Sequence, residues 1–258
     1  MTSTRHQGPL TESEQKWYSA FEHKLKSLQG NAGFQTAFLD PIQQELAAKL
    51  LKEHSHLASL AYGGYPGAER VRLRIFPASQ PGILPEVACL LVSPAATDAG
   101  LGHRDYLGAV LGLGLRRDQV GDIVMLPDGR AAVMVDQSKT DFICAQLTRV
   151  GQMPVECLPA NPAALPLLGG EGKEIRGTVA GLRLDAVMAL GFGISRSRAV
   201  LLIKGGLVKV NWRPVDTPAY QLREGDLISL QGRGRLELLA VAGETRKGRL
   251  RLNLKKYS

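Results

Sequence analysis

The 258-residue chain has only three cysteines, and so small a number argues against a disulfide framework. Cys89, Cys144 and Cys157 form no C-x-x-C pair, and each has apolar sequence neighbours. We therefore expect buried free thiols rather than zinc ligands or a nucleophile. The five histidines add no ligand cluster, so the sequence predicts no metal site and no cofactor.

Long hydrophobic runs are also missing. No stretch reaches the roughly 18 to 20 apolar residues that a membrane-spanning helix needs. Residues 1–10 lack the charged-then-apolar order of a signal peptide. We expect a soluble, cytoplasmic protein that does not insert into a membrane.

Positive charge is concentrated at one end of the chain. The net charge of +8 divides into −1 for residues 1–170 (15 Lys and Arg against 16 acidic residues) and +9 for residues 171–258 (17 against 8). This concentration predicts a polyanionic partner, because each neutralised phosphate releases a condensed counterion. The alternatives are a merely solvated basic surface or a membrane surface, although no basic amphipathic helix with a large apolar face is present.

Residues 183–234 carry the clearest local pattern. Leu184, Val187, Met188 and Gly191 have the spacing of one buried helical stripe, and we predict that Gly191 ends this helix. Ser195 is a suitable N-cap for a second helix, because its hydroxyl accepts a bond from an otherwise orphaned N–H. The second helix covers 196–204 and stops at Gly205 and Gly206, followed by a strand at 207–210, a turn at 211–214 and a strand at 227–230.

This order of residues closely resembles the S4 RNA-binding domain, a module of the ribosomal protein of that name and of several RNA-handling proteins. The resemblance rests on Arg183-Leu184-Asp185, Ser195-Arg196, Ala199, Ile203, Gly206, Val208, Val210, Asn211 and Gly225-Asp226. It implies a C-terminal S4 (αL) domain that binds RNA.

The N-terminus of the second helix is the predicted centre of RNA contact. Free N–H groups and the positive end of the helix dipole suit a phosphate. At about 100° per residue, Arg196 and Lys204 are about 80° apart and form one contact line, whereas Arg198 is about 200° from Arg196 and is either a contact or a solvated rim charge. Asp185 is expected to orient Arg196 or to cap the first helix. The predicted RNA-binding residues are Arg183, Ser195, Arg196, Ser197, Arg198, Lys204, Lys209, Asn211, Arg213 and Arg233.

Two amphipathic helices are predicted near the N-terminus, over 12–28 and, after a cap at Asp40 and a proline at Pro41, over 42–51. The glycine-rich and tyrosine-rich stretch 61–70 follows and leads into an alternating strand at 71–75. It is predicted to be a tight structural turn or a surface loop that stacks a base on Tyr62 or Tyr65. Arg70, Arg72 and Arg74 form either a smaller basic stripe or the solvated face of an edge strand.

Residues 87–158 show the order strand, helix, strand, strand, helix, strand. This is the split β-α-β arrangement of ferredoxin-like and RRM-like domains, although the aromatic RNP motif of a true RRM is missing. A stretch rich in proline and glycine, 159–172, indicates a linker. We therefore predict an α+β fold with an N-terminal helical region (1–75), an RRM-like domain (76–160), a linker (161–178) and the S4 domain (179–258).

His103-Arg104-Asp105 is similar to a kinase catalytic loop, but the companion kinase motifs are absent, so we interpret it as a helix start. Together with residues 62–70 and 116–123, placed before an S4 domain, it looks like the YlmH family of bacterial RNA-binding proteins. That resemblance implies association with the large ribosomal subunit and tRNA, in the rescue of stalled translation. Possible secondary RNA contacts are Tyr62, Tyr65, Arg70, Arg104, Arg116, Arg117, Arg246 and Lys247.

Three functions are compatible with the sequence. The first is a non-catalytic protein that binds structured rRNA or tRNA through shape and phosphates. The second is an RNA-modifying enzyme with an appended S4 module, but residues 1–170 contain no cofactor loop or nucleophile constellation. The third is an assembly factor, since one branch of the family in photosynthetic bacteria carries the label photosystem II S4 domain protein.

Overall fold

The computed structural model describes residues 10–28, 33–96, 100–165 and 172–257. The chain divides into two units, Met1–Gly169 and Gly170–Ser258. Residues 1–9, from which no signal peptide is predicted, lie outside the described residues. The same holds for residues 166–171 of the predicted linker.

The first unit opens with two helices that begin where the sequence predicts. Helix α1 (Glu12–Lys26) begins at a Thr11 capping box, and α2 (Pro41–Lys52) begins at an Asp40 capping box with proline in its first turn. The antiparallel strands β1 (Phe34–Gln35), β2 (Leu57–Tyr62) and β3 (Arg72–Pro77) form a sheet in the order β1-β3-β2. The helices bury one face of β3 in a core of Phe21, Leu25, Leu39, Ala47, Leu50, Val71, Leu73 and Ile75.

Arg72 corrects the prediction of an outward arginine stripe. Its side chain is buried, donates to the carbonyl oxygens of Thr36 (2.9 Å) and Glu86 (2.8 Å), and pairs with Asp136 at 3.0 Å. The alternation of side chains along β3 correctly predicts that Arg72 lies on the face away from α1 and α2. However, β3 is the central strand of its sheet, and other parts of the same unit cover this second face. Arg72 is therefore buried although its position in the alternating pattern is a polar one.

The rest of the first unit confirms the ferredoxin-like prediction. Its elements are β4 (Val87–Pro94), α3 (His103–Gly112), β5 (Val120–Met125), β6 (Ala131–Asp136), α4 (Thr140–Gln146), β7 (Arg149–Val150) and β8 (Met153–Ala160). The sheet order is β5-β6-β4-β8-β7, so the four principal strands stand in the order second, third, first, fourth. The short strand β7 is not predicted by the sequence.

Both faces of this sheet contact protein. Helices α3 and α4 cover one face through a core that includes Tyr106, Val110 and Ile143. On the other face, Phe38 packs on Cys89 and Met134. The three cysteines are free, as predicted, but only Cys89 and Cys157 are buried, whereas Cys144 is half-buried. The Sγ atoms of Cys144 and Cys157 are 3.7 Å apart.

The second unit is a six-stranded antiparallel sheet with two helices on one face. Its elements are β9 (Lys173–Val179), α5 (Leu184–Phe192), α6 (Arg196–Lys204), β10 (Val208–Val210), β11 (Arg213–Pro214), β12 (Leu227–Leu230), β13 (Gly234–Glu244) and β14 (Leu250–Tyr257). The strand order is β11-β10-β12-β13-β14-β9. Leu184, Val187 and Met188 of α5 and Ala199 and Ile203 of α6 are fully buried against this sheet.

Two predicted boundaries in this unit need correction. The linker predicted over 161–178 is shorter, because 173–179 pairs with β14 as an edge strand. Gly191 does not end α5; the helix continues to Phe192, and Gly193 (φ 64°) is its left-handed C-cap. Close packing favours glycine at position 191, because a Cβ added there would lie 2.1 Å from Leu236 Cδ2.

No single helix among the described residues is long and apolar enough to cross a bilayer. By length and composition alone, α5 and α6 taken together pass that test as a pair bent by 115°.

Candidate nucleic-acid interface

The two helices of the second unit present different N-termini. At α5, the N–H groups of Leu184 and Asp185 donate to the carbonyl oxygens of Tyr220 (2.9 Å) and Pro218 (3.1 Å), so protein already occupies this end. At α6, the Ser195 hydroxyl accepts from the Arg198 N–H at 3.2 Å, which confirms the predicted cap. Within the described residues, the N–H groups of Arg196 and Ser197 have no protein acceptor, so the start of α6 is open to an anion.

Asp185 joins the starts of both helices through two arginines. Arg183 binds its carboxylate with two nitrogens, each at 3.1 Å, and Arg196 Nη2 donates to Oδ2 at 2.8 Å. Because both Nη2 atoms contact the same oxygen, at 3.1 and 2.8 Å, they lie no more than about 6 Å apart. The expectation that Asp185 orients Arg196 is confirmed, whereas the alternative that Asp185 caps α5 is wrong, since Arg183 is the N-cap.

The burial of these three side chains differs sharply. Asp185 is 4% exposed, whereas Arg183 and Arg196 are 42% and 57% exposed. Burial by itself raises the pKa of Asp185, but the hydrogen bonds from Arg183 and Arg196 outweigh it and hold that pKa below its usual value. Asp185 is therefore an ionised internal anchor that aims two accessible guanidinium groups at solvent. We call these three residues the arginine fork.

The faces of α6 agree with the helical-wheel prediction. Ala199 and Ile203 face the core, and Arg196 and Lys204 are both exposed on one flank. The two positions are eight residues apart, so their backbones are separated by about 12 Å along the axis. Arg198 is exposed on the opposite flank, and Ser197 is exposed in the first turn.

Two further predicted cations, Arg233 and Arg213, lie near the helices. Gln231 donates its N–H to the Leu207 carbonyl, so the turn that carries exposed Arg233 is beside the chain that follows Lys204. Arg213 pairs directly with Val210 and therefore shares the sheet face on which Val210 is buried.

Lys209 and Asn211 do not join this group. Val208 and Val210 are buried against the helices, so Lys209 between them points to the opposite face of the sheet. Asn211 is used internally: its Nδ2 donates to Asp226 at 2.8 Å, and its Oδ1 accepts from the Leu227 N–H at 3.0 Å. Sequence spacing identifies both positions. It does not indicate whether a side chain lies on the helical face, lies on the opposite face of the sheet, or forms hydrogen bonds that stabilise a hairpin.

The predicted contacts Arg246 and Lys247 occupy the exposed β13–β14 turn. At the base of this turn, Arg249 donates to the Thr178 carbonyl at 2.8 Å. Thr178 is at the end of β9, where the chain continues towards Arg183. The turn therefore lies at the end of the sheet that leads into α5.

Sequence reasoning missed Tyr220. Its carbonyl accepts the first N–H of α5, and its side chain is 40% exposed. An exposed aromatic ring near a cationic helix start is suited to stack on an unpaired base. Tyr220 lies outside any strand or helix, so no periodicity in the sequence indicates it.

In the first unit, the structure selects the structural interpretation of the glycine-rich and tyrosine-rich stretch. The Tyr62 hydroxyl donates to the Gly64 carbonyl at 2.9 Å, and the Tyr65 hydroxyl donates to Asp122 at 2.8 Å. Arg70 donates to the Phe38 carbonyl at 3.0 Å, and Arg117 donates to the carbonyl oxygen of Gly121 at 3.2 Å. The bond of Tyr65 forms because the stretch folds back onto β5, a contact between positions 57 residues apart that local spacing cannot reveal.

Of the predicted secondary contacts in the first unit, Arg104 and Arg116 are exposed. Arg104 is the second residue of α3, and Arg116 pairs with Asp118 at 3.0 Å. Among the described residues, no group of three or more His, Cys, Asp or Glu side chains is arranged to hold a metal ion.

Comparison with family models gives three matches along the chain. The S4 domain matches residues 182–228, the putative RNA-binding domain in YlmH matches residues 89–162, and the YlmH N-terminal model matches residues 25–79.

Similar proteins include one that matches over most of its length. Ribosome-associated protein quality control protein P2 of Bacillus subtilis is 36% identical over 229 residues, which cover 86% of each chain. Small ribosomal subunit protein uS4 of Thermus thermophilus is 45% identical over 69 residues, 26% of this chain and 33% of its own. The solved structure of the cell division protein ylmH from Streptococcus pneumoniae has a TM-score of 0.52 and 21% identity, covering 60% of this chain and 95% of that chain. This last likeness is one of fold.

Proposed function

The chain belongs to the YlmH family, and from this premise we propose that it is a non-catalytic RNA-binding protein that acts on the ribosome. The observation that carries the proposal is the arginine fork beside the open start of α6. Two accessible guanidinium groups are held within about 6 Å of each other by a buried carboxylate. This arrangement supports phosphate binding without rearrangement of the side chains.

Electrostatics and geometry favour RNA backbone as the ligand. A guanidinium group donates two parallel hydrogen bonds to phosphate oxygens, and the unpaired N–H groups of Arg196 and Ser197 add donors beside it. Lys204 and Arg233 extend the cationic side towards the other end of α6. Such a surface reads shape and phosphate position rather than sequence, as suits a folded rRNA or tRNA. Tyr220 offers one stacking platform at its edge.

The relative from Bacillus subtilis is named for ribosome-associated protein quality control, and this name supports the same role here. We propose that the chain works in the cytoplasm on ribosomes stalled in translation, in contact with the large subunit and tRNA. The residues gathered at the site are cationic side chains held in place around the ionised carboxylate of Asp185. Their role in the proposal is to bind phosphate, and no chemical step is assigned to them. Turnover of bound RNA would contradict it.

Arg196→Ala tests the RNA-binding surface. Removal of this phosphate contact should weaken binding to a labelled tRNA and lower the slope of log affinity against log salt by about one. Fluorescence anisotropy over a KCl series measures both quantities. Arg176→Ala is the matched control, because Arg176 is an exposed arginine of the same unit on the sheet face away from the helices. Equal effects of the two substitutions would contradict the proposed surface.

The ribosomal partner is tested by sedimentation. The purified chain should migrate with isolated large subunits through a sucrose gradient, and Arg196→Ala should reduce this fraction. Small subunits are the comparison, because the S4 region also matches protein uS4 of that subunit. Migration with small subunits alone, or complexes that survive ribonuclease unchanged, would overturn the assignment.

A further inference from the structure

The turn between β10 and β11 has an unusual backbone. Val210 pairs directly with Arg213, so Asn211 and Trp212 form a two-residue turn between them. Their φ angles are 49° and 65°, and no other described residue except glycine has a positive φ. A two-residue turn with two positive φ angles is of type I′, for which asparagine followed by glycine is a preferred sequence. Tryptophan therefore occupies a position that glycine fits better.

Trp212 is strained in this turn, and core packing does not offset the strain. A left-handed backbone brings the Cβ of an L-residue close to the following carbonyl oxygen, which costs free energy that glycine avoids. The Trp212 side chain is partly exposed and does not belong to the hydrophobic core of the second unit, as far as the structure describes that unit. A costly conformation that burial does not explain is typical of residues at functional sites.

One end of the segment 218–226 contacts the arginine fork. Gln221 forms an antiparallel β-bridge with Arg183, and the Tyr220 carbonyl accepts from the N–H of Leu184 at 2.9 Å. The first residues of the segment therefore lie alongside the arginine at the start of α5. The exposed side chain of Tyr220 belongs to this part of the segment.

The other end of the segment holds the strained turn. The Asp226 carboxylate accepts from the Arg223 N–H at 2.7 Å and from Asn211 Nδ2 at 2.8 Å. Gln221 and Arg223 are two residues apart, so the Asn211 amide lies within about 15 Å of the Gln221 backbone. The turn that carries Trp212 is therefore close to the part of the chain that pairs with the arginine fork.

Positive charge accompanies the turn. Arg213 follows Trp212 directly, and Arg223 is exposed beside the Asp226 carboxylate that holds the turn. An aromatic ring flanked by guanidinium groups suits a nucleobase, because the ring stacks on the base while the cations bind neighbouring phosphates. These cations favour RNA over an apolar protein surface as the partner of the ring.

We propose that Trp212 stacks on an unpaired base of the RNA whose backbone is bound by the arginine fork. The inference rests on the proposed function and narrows the ligand to RNA with a base outside a continuous duplex, in a loop, a bulge or an end. Stacking tolerates different sequences because every base has a flat π-face. The strain at Trp212 is retained because glycine, which would relieve it, has no ring.

Two RNA hairpins test the stacking. One has a single bulged uridine, and the other has an abasic ribose at the bulge, so the two present the same phosphates. The parent chain should bind the bulged-uridine hairpin roughly 5- to 150-fold more tightly, whereas Trp212→Gly and Trp212→Asn should bind both hairpins equally. Fluorescence anisotropy of the labelled hairpins measures these affinities.

The same titrations separate failure of the inference from failure of the proposed function. If the parent chain binds both hairpins equally while Arg196→Ala still weakens binding, the inference is overturned and the proposed function stands. If the parent chain binds neither hairpin, both are overturned.

The fluorescence of Trp212 gives a direct signal. The chain has two tryptophans, and Trp17→Phe keeps a ring against Phe21 while it leaves Trp212 as the single tryptophan. The bulged-uridine hairpin should quench this fluorescence saturably, and the abasic hairpin should not. An unchanged signal at saturation with the bulged-uridine hairpin overturns the inference.

Thermal unfolding separates a binding role of Trp212 from a structural one. Glycine relieves the left-handed strain, so Trp212→Gly should leave the midpoint of unfolding unchanged or higher although it lowers affinity. A midpoint that falls by several degrees would show that the indole stabilises the fold, and this would overturn the inference. Loss of sedimentation with large subunits without loss of hairpin affinity would assign the ring to a protein partner and overturn it as well.

Discussion

Asp185 orients the two arginines of the proposed interface although its own side chain is buried. The carboxylate is 4% exposed, yet it stays ionised because two guanidinium groups donate to it. Each arginine keeps nearly half or more of its surface accessible. Without the carboxylate, the same two cations repel each other and lose their fixed orientation.

We predict that Asp185→Asn lowers the free energy of unfolding by about 1 to 3 kcal/mol at neutral pH, because buried hydrogen-bonding capacity is lost. RNA affinity should fall as well, although no cation is removed. Thermal or urea unfolding and anisotropy measure the two effects.

The pH dependence of Asp185→Asn follows from the sign of the shift. The pKa of Asp185 is lowered in the folded chain, so its contribution is complete above the unfolded value of about 3.9 and is lost as pH falls through the folded value. The difference in stability between the parent and Asp185→Asn should therefore shrink below about pH 4. A difference that stays constant down to the folded pKa would contradict the ionised anchor.

Tyr220→Ala should reduce affinity for tRNA by roughly 1 to 3 kcal/mol if the exposed ring stacks on a base. Tyr220→Phe keeps the ring and removes the hydroxyl, so it should bind like the parent. Equal losses in both variants would assign the effect to the hydroxyl group and contradict stacking.

At the scale of elements, close approach between α5 and its sheet depends on two glycines. A Cβ on Gly191 would lie 2.1 Å from Leu236 Cδ2, and one on Gly177 would lie 2.4 Å from Leu190 Cδ1. Each partner is an apolar side chain in the core, so the helix cannot move away without opening that core. The position of α5, and with it the orientation of the arginine fork, follows from these contacts.

Gly191→Ala should destabilise the second unit by about 1 to 3 kcal/mol through overpacking. Gly108→Ala in α3 is the matched helical control: an added Cβ there meets nothing within 4 Å, and alanine should stabilise by about 0.5 to 1 kcal/mol. Chemical denaturation separates the opposite signs. A neutral Gly191→Ala would show that the contact with Leu236 relaxes freely.

At the scale of the whole molecule, charge is divided between the two ends of the sequence. Residues 171–258 carry a net +9, whereas residues 1–170 carry −1. In the first unit, Arg70 and Arg117 are partly buried, and the charge of Asp122 acts on both of them. Net charge per segment therefore locates the stronger electrostatic partner surface in residues 171–258.

For about four phosphates neutralised, a fourfold rise in KCl should lower affinity for tRNA by roughly 50- to 150-fold. A titration from low to moderate salt tests this expectation for the whole chain. A flat salt dependence would contradict phosphate contact as the main source of affinity.

The sequence alone determines the features that depend on near neighbours in the chain. The caps at Thr11, Asp40 and Ser195 and the bounds of α6 follow from interactions within three or four residues. Alternating and helical periodicity likewise predicts the order of the ferredoxin-like strands and helices. The concentration of positive charge after residue 170 is a property of composition and needs no fold.

Tertiary structure decides which of the predicted residues share a surface. Lys209 points to the back of the sheet, Arg72 is buried, and Asn211 braces Asp226, although all three fit the sequence pattern. The same long-range packing brings Arg183 and Arg196 to one carboxylate, and Tyr65 and Arg70 to the carboxylate of Asp122. Side-chain direction depends on strand register and on what covers each face, and these are set by contacts between residues far apart in the chain, which spacing along the sequence does not record.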